Sequence, residues 1–153
     1  MSRSPRRVCA RLLLFAALAI PAAAKQLAVV VDKSNTVSGM SATDLTRVFK
    51  FDNRKWPDGR SVVLVVLDPT APEMKVVAEK LYHMPPDDMK ALLAAHHSGV
   101  VVVNSEEQLL KSVETIPGAV GIVDVYSINS HVNVLKVDGK LPLEQGYFLK
   151  GSQ

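Results

Sequence analysis

Ser61-Val62-Val63-Leu64-Val65-Val66-Leu67, running directly into Asp68-Pro69-Thr70-Ala71-Pro72-Glu73, is the stretch on which the fold turns. The first part is apolar at consecutive positions rather than at alternate ones, which is the pattern of a strand covered on both faces. The second part switches to turn chemistry. Thr70 stands where a helix N-cap belongs, Pro72 and Glu73 suit a first turn, and Met74, Val77, Ala78 and Leu81 follow as an apolar stripe. A doubly buried strand that feeds an amphipathic helix predicts an α/β layered domain.

The same grammar extends in both directions. Upstream, Gln26–Val31 (QLAVVV) is a second buried strand, Asp32–Gly39 (DKSNTVSG) is a polar turn, and Ser41 with Asp44 caps a helix over Ala42–Lys50. Arg54-Lys55-Trp56-Pro57-Asp58-Gly59 is a turn. Downstream, Met84-Pro85-Pro86 ends the helix, and Asp87 and Asp88 open another that closes at His96-His97-Ser98-Gly99. Val100–Val103 is a strand, Ser105 caps a helix reaching about Thr115, and Pro117-Gly118 precedes a strand at Ala119–Val123. Val132–Val137 is expected as one strand, Asp138-Gly139 as a tight turn and Tyr147–Leu149 as a final edge strand. The expectation is a single α/β domain with a mixed, mostly parallel sheet flanked by helices and an antiparallel element at its end.

The 153-residue chain has a formal net charge of +3 and a pI of about 9.1. That basicity is local. Arg3, Arg6, Arg7 and Arg11 account for 4 of the 18 basic side chains, and none of the 15 acidic ones falls in residues 1–24, so 14 basic face 15 acidic groups in the rest. The arginines surround an apolar run, Leu12–Ile20, followed by Pro21 and Ala22-Ala23-Ala24, the layout of a secretory signal peptide cleaved after about Ala24. The run is shorter than the roughly 20 residues a membrane span needs. Cys9, the sole cysteine, precedes the apolar run, whereas a lipoprotein cysteine follows it. The expected product, residues 25–153, is therefore an exported, periplasmic domain without a thiol, a lipid anchor or a membrane span, and its near-neutral charge removes the case for nucleic-acid binding.

Few residues carry catalytic chemistry. There is no G-x-S-x-G elbow, no nucleotide-binding glycine loop and no H-x-x-x-H pair, and His83, His96, His97 and His131 lack metal-ligand spacing. No enzyme, cofactor or metal site is predicted. An α/β sheet can still hold an anion where strand ends meet helix N-termini, and Asn35, Thr36 and Ser38 after the first strand and Thr70 after the second are the candidate anion-binding residues. Arg54, Lys55 and Trp56 are the candidate contact for a protein partner if the indole is exposed; the alternative, preferred for a lone Trp beside a turn, is that Trp56 packs over the end of the core.

From about Leu27 to Leu149 the sequence resembles PBP-like domains related to the substrate-binding proteins of phosphate ABC transporters. The phrases that carry it are Val29–Phe49, Lys55-Trp56-Pro57-Asp58-Gly59, Glu114-Thr115-Ile116-Pro117-Gly118-Ala119-Val120-Gly121, which is similar to "tPGAIGY", and Val134–Leu141 (VLKVDGKL). The resemblance implies a periplasmic-binding-protein-like fold and, in full-length relatives, a phosphate clamped between two lobes. This chain has length for one lobe. Where relatives write an Arg-Ser-x-Gly-Ser-Gly-Thr type loop it has Leu67-Asp68-Pro69-Thr70-Ala71-Pro72-Glu73, retaining only the Thr70 hydroxyl. The expected function is a solute-binding-type domain that takes inorganic phosphate or another oxyanion weakly. The alternative is a ligand-free interaction module for an envelope or transporter protein.

Overall fold

A computed structural model describes residues 25–151; the expected leader, residues 1–24, lies outside the described residues. The valine-rich runs all become strands: β1 (Leu27–Asp32), β3 (Val63–Leu67), β4 (Val100–Val103), β5 (Ala119–Asp124) and β6 (Val132–Val134). They form one five-stranded sheet in the order β4-β3-β5-β1-β6. β3 is parallel to β4 and β5, whereas β1 is antiparallel to both β5 and β6, so four strands point one way and β1 points the other. The sheet is mixed and mostly parallel, as expected. Its antiparallel element, however, is the first strand, and it lies inside the sheet. Apolarity on both faces marks β1 as buried but says nothing about its direction.

Among the described residues four α-helices flank the sheet: α1 (Ala42–Phe49), α2 (Pro72–Val77), α3 (Pro86–Ala95) and α4 (Glu106–Thr115). α4 packs along β5, β1 and β3 through Leu109 and Val113, both fully buried. Gly121 of β5 permits that approach, since a Cβ there would stand 2.6 Å from Leu109 Cδ2. α2 does not run on to Leu81 as one α-helix. It passes into a π turn (Ala78–Tyr82) that ends at His83 in the left-handed conformation, and Tyr82 packs edge-on against Phe49 of α1.

Three other elements differ from expectation. The Asp32–Gly39 loop does not lead straight into α1, because Gly39–Met40 forms a short strand, β2, parallel to β7 (Lys136–Val137). The expected strand Val132–Val137 divides accordingly. Leu135 N–H still reaches Val29 O at 2.9 Å, but Lys136 N–H turns to Ser38 O at 3.0 Å, which moves the chain from the large sheet to the small one. Tyr147–Leu149 is not a strand; only the Leu27 N–H to Leu149 O bond, at 2.9 Å, and a bridge between Gln26 and Lys150 tie it to β1, while Leu149 seals the core. The Asp138-Gly139 turn is formed as predicted, with φ of 51° and 76°. No helix among the described residues is long and apolar enough to cross a membrane.

Candidate functional site

The direction of β1 decides where the candidate anion residues lie. Because β1 opposes β3, the loop leaving β1 and the loop leaving β3 emerge at opposite ends of the sheet. A six-residue strand separates them, about 20 Å. Asn35, Thr36 and Ser38 are brought together at one end. Thr70 is not among them, and the four residues do not form one site.

Thr70 also differs in its local role. The N-cap of α2 is Ala71, without a side-chain cap, and the Thr70 hydroxyl instead donates to Asp68 Oδ1 at 2.6 Å, with its N–H on the same oxygen at 2.9 Å. These two donors, the hydroxyl first, hold the Asp68 carboxyl below its ordinary range, with a smaller contribution from the Lys90 charge. The surroundings are acidic. The Glu106 carboxylate accepts from Asp124 N–H at 2.6 Å and from the Ser127 hydroxyl, and Glu73 and Asp124 share the Lys25 ammonium, Asp124 at 3.8 Å. Burial acts to raise the Glu73 carboxyl, but the Lys25 hydrogen bond and charge, with Glu73's own backbone N–H, outweigh it and hold it low. Hydrogen bonding to Glu73 correspondingly raises the Lys25 ammonium, against burial. A carboxylate of the chain itself therefore sits where α2 begins, and an incoming phosphate there would meet Asp68, Glu73, Glu106 and Asp124.

At the opposite end, Asn35, Thr36 and Ser38 line a shallow concavity of about 340 Å³ with Asn133 and Lys136, and no carboxylate lines it. Lys136 was not singled out by the sequence, because only the β2–β7 pairing brings it to Ser38. Asn35 is buried. Its Oδ1 accepts from Val37 N–H at 3.0 Å, while its Nδ2 has no protein partner among the described residues. Thr36 and Ser38 are exposed. The loop is pinned by Arg60, whose guanidinium donates to Ser34 Oγ at 2.9 Å and to the buried Asp32 carboxylate at 3.3 Å, and whose Nε donates to Asp58 at 2.8 Å. This concavity is not a helix N-terminus, contrary to expectation. Two of the first N–H groups of α1, which lies beyond β2, already have side-chain partners: Ser41 Oγ accepts from Asp44 N–H and Asp138 Oδ1 from Ala42 N–H, each at 3.0 Å.

The candidate partner contact is also revised. Trp56 is 4% exposed and its indole N–H donates to Gly118 O at 2.8 Å, so the ring belongs to the core and presents no surface. Arg54 and Lys55 are exposed beside it. Among the described residues no group of three His, Cys, Asp or Glu side chains is placed to hold a metal ion.

Comparison with solved structures matches this arrangement. A phosphate transport receptor from Vibrio cholerae superposes with a TM-score of 0.70 at 17% identity, over 84% of this chain and 55% of that one. The fold is that of part of a phosphate-transporter substrate-binding protein. PstS from Borrelia burgdorferi gives a TM-score of 0.70 at 14% identity, over 85% of this chain and 56% of that one. A phosphate ABC transporter substrate-binding protein from Clostridium perfringens, solved with phosphate bound, gives 0.65 at 15% identity, over 76% and 46%. The chain thus spans about half the length of these structures, and at such identities the likeness establishes the fold alone. No family model and no curated protein matches the chain.

Proposed function

We infer that the chain is an exported, non-catalytic solute-binding-type domain that takes phosphate or a similar oxyanion weakly on an open surface made by Asn35, Thr36, Ser38 and Lys136. The observation that carries this reading is the contrast between the two sheet ends. The Asn35–Ser38 concavity offers amide, hydroxyl and ammonium groups with no carboxylate among its lining, whereas Asp68, Glu73, Glu106 and Asp124 crowd the Thr70 end. Neighbours of the same fold that are named for phosphate support the class of ligand. Weakness follows from shape: a shallow surface leaves part of a small anion in water, where each contact competes with hydration. The leader of residues 1–24 supports export and a periplasmic location.

Isothermal titration of the purified protein with phosphate and sulfate tests this. The expected result is a dissociation constant in the millimolar range, about −4 kcal/mol or less binding energy, weakened by Lys136→Gln and unchanged by Thr70→Ala. A second reading, a ligand-free interaction module for an envelope partner, draws on Tyr126, 87% exposed, and Leu143, 57% exposed; Gln26 ties their segments together, its backbone O accepting from Val125 N–H and its Oε1 from Leu143 N–H. Absence of any heat or thermal shift with either anion favours that reading.

A further inference from the structure

We propose that a second cavity, between the carbonyl ends of α1 and α3, is a binding site for a small organic carboxylate. The cavity is open to solvent on one side, has a volume of about 340 Å³ and is lined by Phe51, Arg54, Ser61, Val62, His96 and Ser98 among others. That size suits a small ligand, and the lining combines one cation, two hydroxyls and an apolar wall with no carboxylate. It lies at the β1 loop end of the sheet, since Ser61 and Val62 precede β3 and Ser98 precedes β4.

Four features describe the shaped wall. Phe51 holds a left-handed backbone, φ 66°, which a phenylalanine adopts only at some conformational cost. Its ring stacks on the His96 imidazole, with centroids 4.2 Å apart and planes at 22°. The buried His96 Nδ1 has no protein hydrogen-bond partner among the described residues, so that nitrogen is not what orients the imidazole. Arg54 Nε donates to Phe51 O at 3.2 Å, which anchors the guanidinium at the cavity rim.

The chemistry selects the ligand class. Arg54 and the hydroxyls of Ser61 and Ser98 match a carboxylate, for which a guanidinium is a well-fitted partner. Val62 and the stacked ring pair match an apolar body. The carbonyl ends of two helices converge here and their dipoles oppose negative charge, so a phosphate dianion is disfavoured about twice as strongly as a carboxylate monoanion, which Arg54 can neutralise and whose apolar body adds contacts phosphate lacks. The site is therefore distinct in place and in chemistry from the Asn35–Ser38 concavity.

The test is a titration of the purified, isotope-labelled protein with benzoate, followed through backbone amide shifts. Benzoate is expected to move the amides of Phe51, His96 and Gly99 with a dissociation constant of roughly 1 mM or below, and phosphate is expected to leave them in place. Arg54→Gln should weaken benzoate by about tenfold, the size of a lost charge-assisted hydrogen bond, while Lys55→Gln, a neighbouring exposed charge, should not. Ser98→Ala provides an independent reading and should weaken binding with the fold intact. The proposal is overturned if benzoate leaves these amides unmoved, if phosphate moves them equally, or if Arg54→Gln and Lys55→Gln have the same effect.

Discussion

Gly118→Ala is predicted to be among the most damaging single-methyl changes in the chain. Gly118 has φ +80°, and a Cβ built there would stand 2.2 Å from the backbone oxygen of Ser61, an atom that no side-chain rotation can move. The left-handed conformation alone costs alanine about 1–2 kcal/mol. Relief of the clash must displace the Gly118 peptide, whose carbonyl accepts from Trp56 Nε1 at 2.8 Å and from Val63 N–H at 3.1 Å. Each of those bonds, if broken in a buried place, costs about 1–3 kcal/mol. The sum is about 3–8 kcal/mol if both bonds are lost, a large share of the roughly 5–15 kcal/mol that holds a domain of this kind. Gly59→Ala separates the two contributions, because Gly59 has φ +87° with nothing within 4 Å of an added Cβ, so it should cost about 1 kcal/mol. Urea unfolding followed by fluorescence of Trp56, the only tryptophan, reads both variants. Equal losses in the two, or a loss below about 1 kcal/mol for Gly118→Ala, would refute the reasoning that close approach, rather than φ, makes this glycine necessary.

Two further outcomes follow from the charged groups. The Glu73 carboxyl is held below its ordinary value of 4.5, chiefly by Lys25 acting against burial, so its contribution to stability is complete above that pH and is lost as pH falls through the lower folded value. Glu73→Gln should therefore flatten the acid limb of a stability-versus-pH curve, and an unchanged limb would contradict the ion pair. Arg60→Gln removes the guanidinium that joins the 54–60 turn to Asp32 and Ser34, and amide exchange should quicken at Asn35 and Val37, with β3 unaffected.

The sequence was most legible where a pattern reports burial. The apolar runs at Leu27–Val31, Val63–Leu67 and Ala119–Val123 located strands because burial on both faces leaves a continuous signature. Ser41 and Ser105 located helix starts because capping is local chemistry. Direction is a different quantity. Val29–Val31 would read the same in either orientation, and the antiparallel pairing of β1 with β5 is fixed by contacts about 90 residues apart in the chain. That single unknown separated Thr70 from Asn35, Thr36 and Ser38. β2 escaped notice for a related reason: Gly39 and Met40 have no strand-forming character, and the pair exists because Gly39 admits Lys136, whose Cβ and O would each lie 3.0 Å from an added Cβ. Trp56 was ambiguous because an indole beside a turn serves core and surface equally well, and only the Gly118 carbonyl, 62 positions away, assigns it to the core.

The central claim is that an oxyanion, if offered, is taken at the Asn35 end of the sheet and not at the Thr70 end. The most direct measurement is a phosphate titration of the isotope-labelled protein, mapped on backbone amides at both ends at once. The account predicts saturable shifts at Asn35, Thr36, Ser38 and Lys136, with Thr70, Glu73 and Ser105 unmoved. Shifts confined to Thr70 and its neighbours, or no shift at either end, would contradict it.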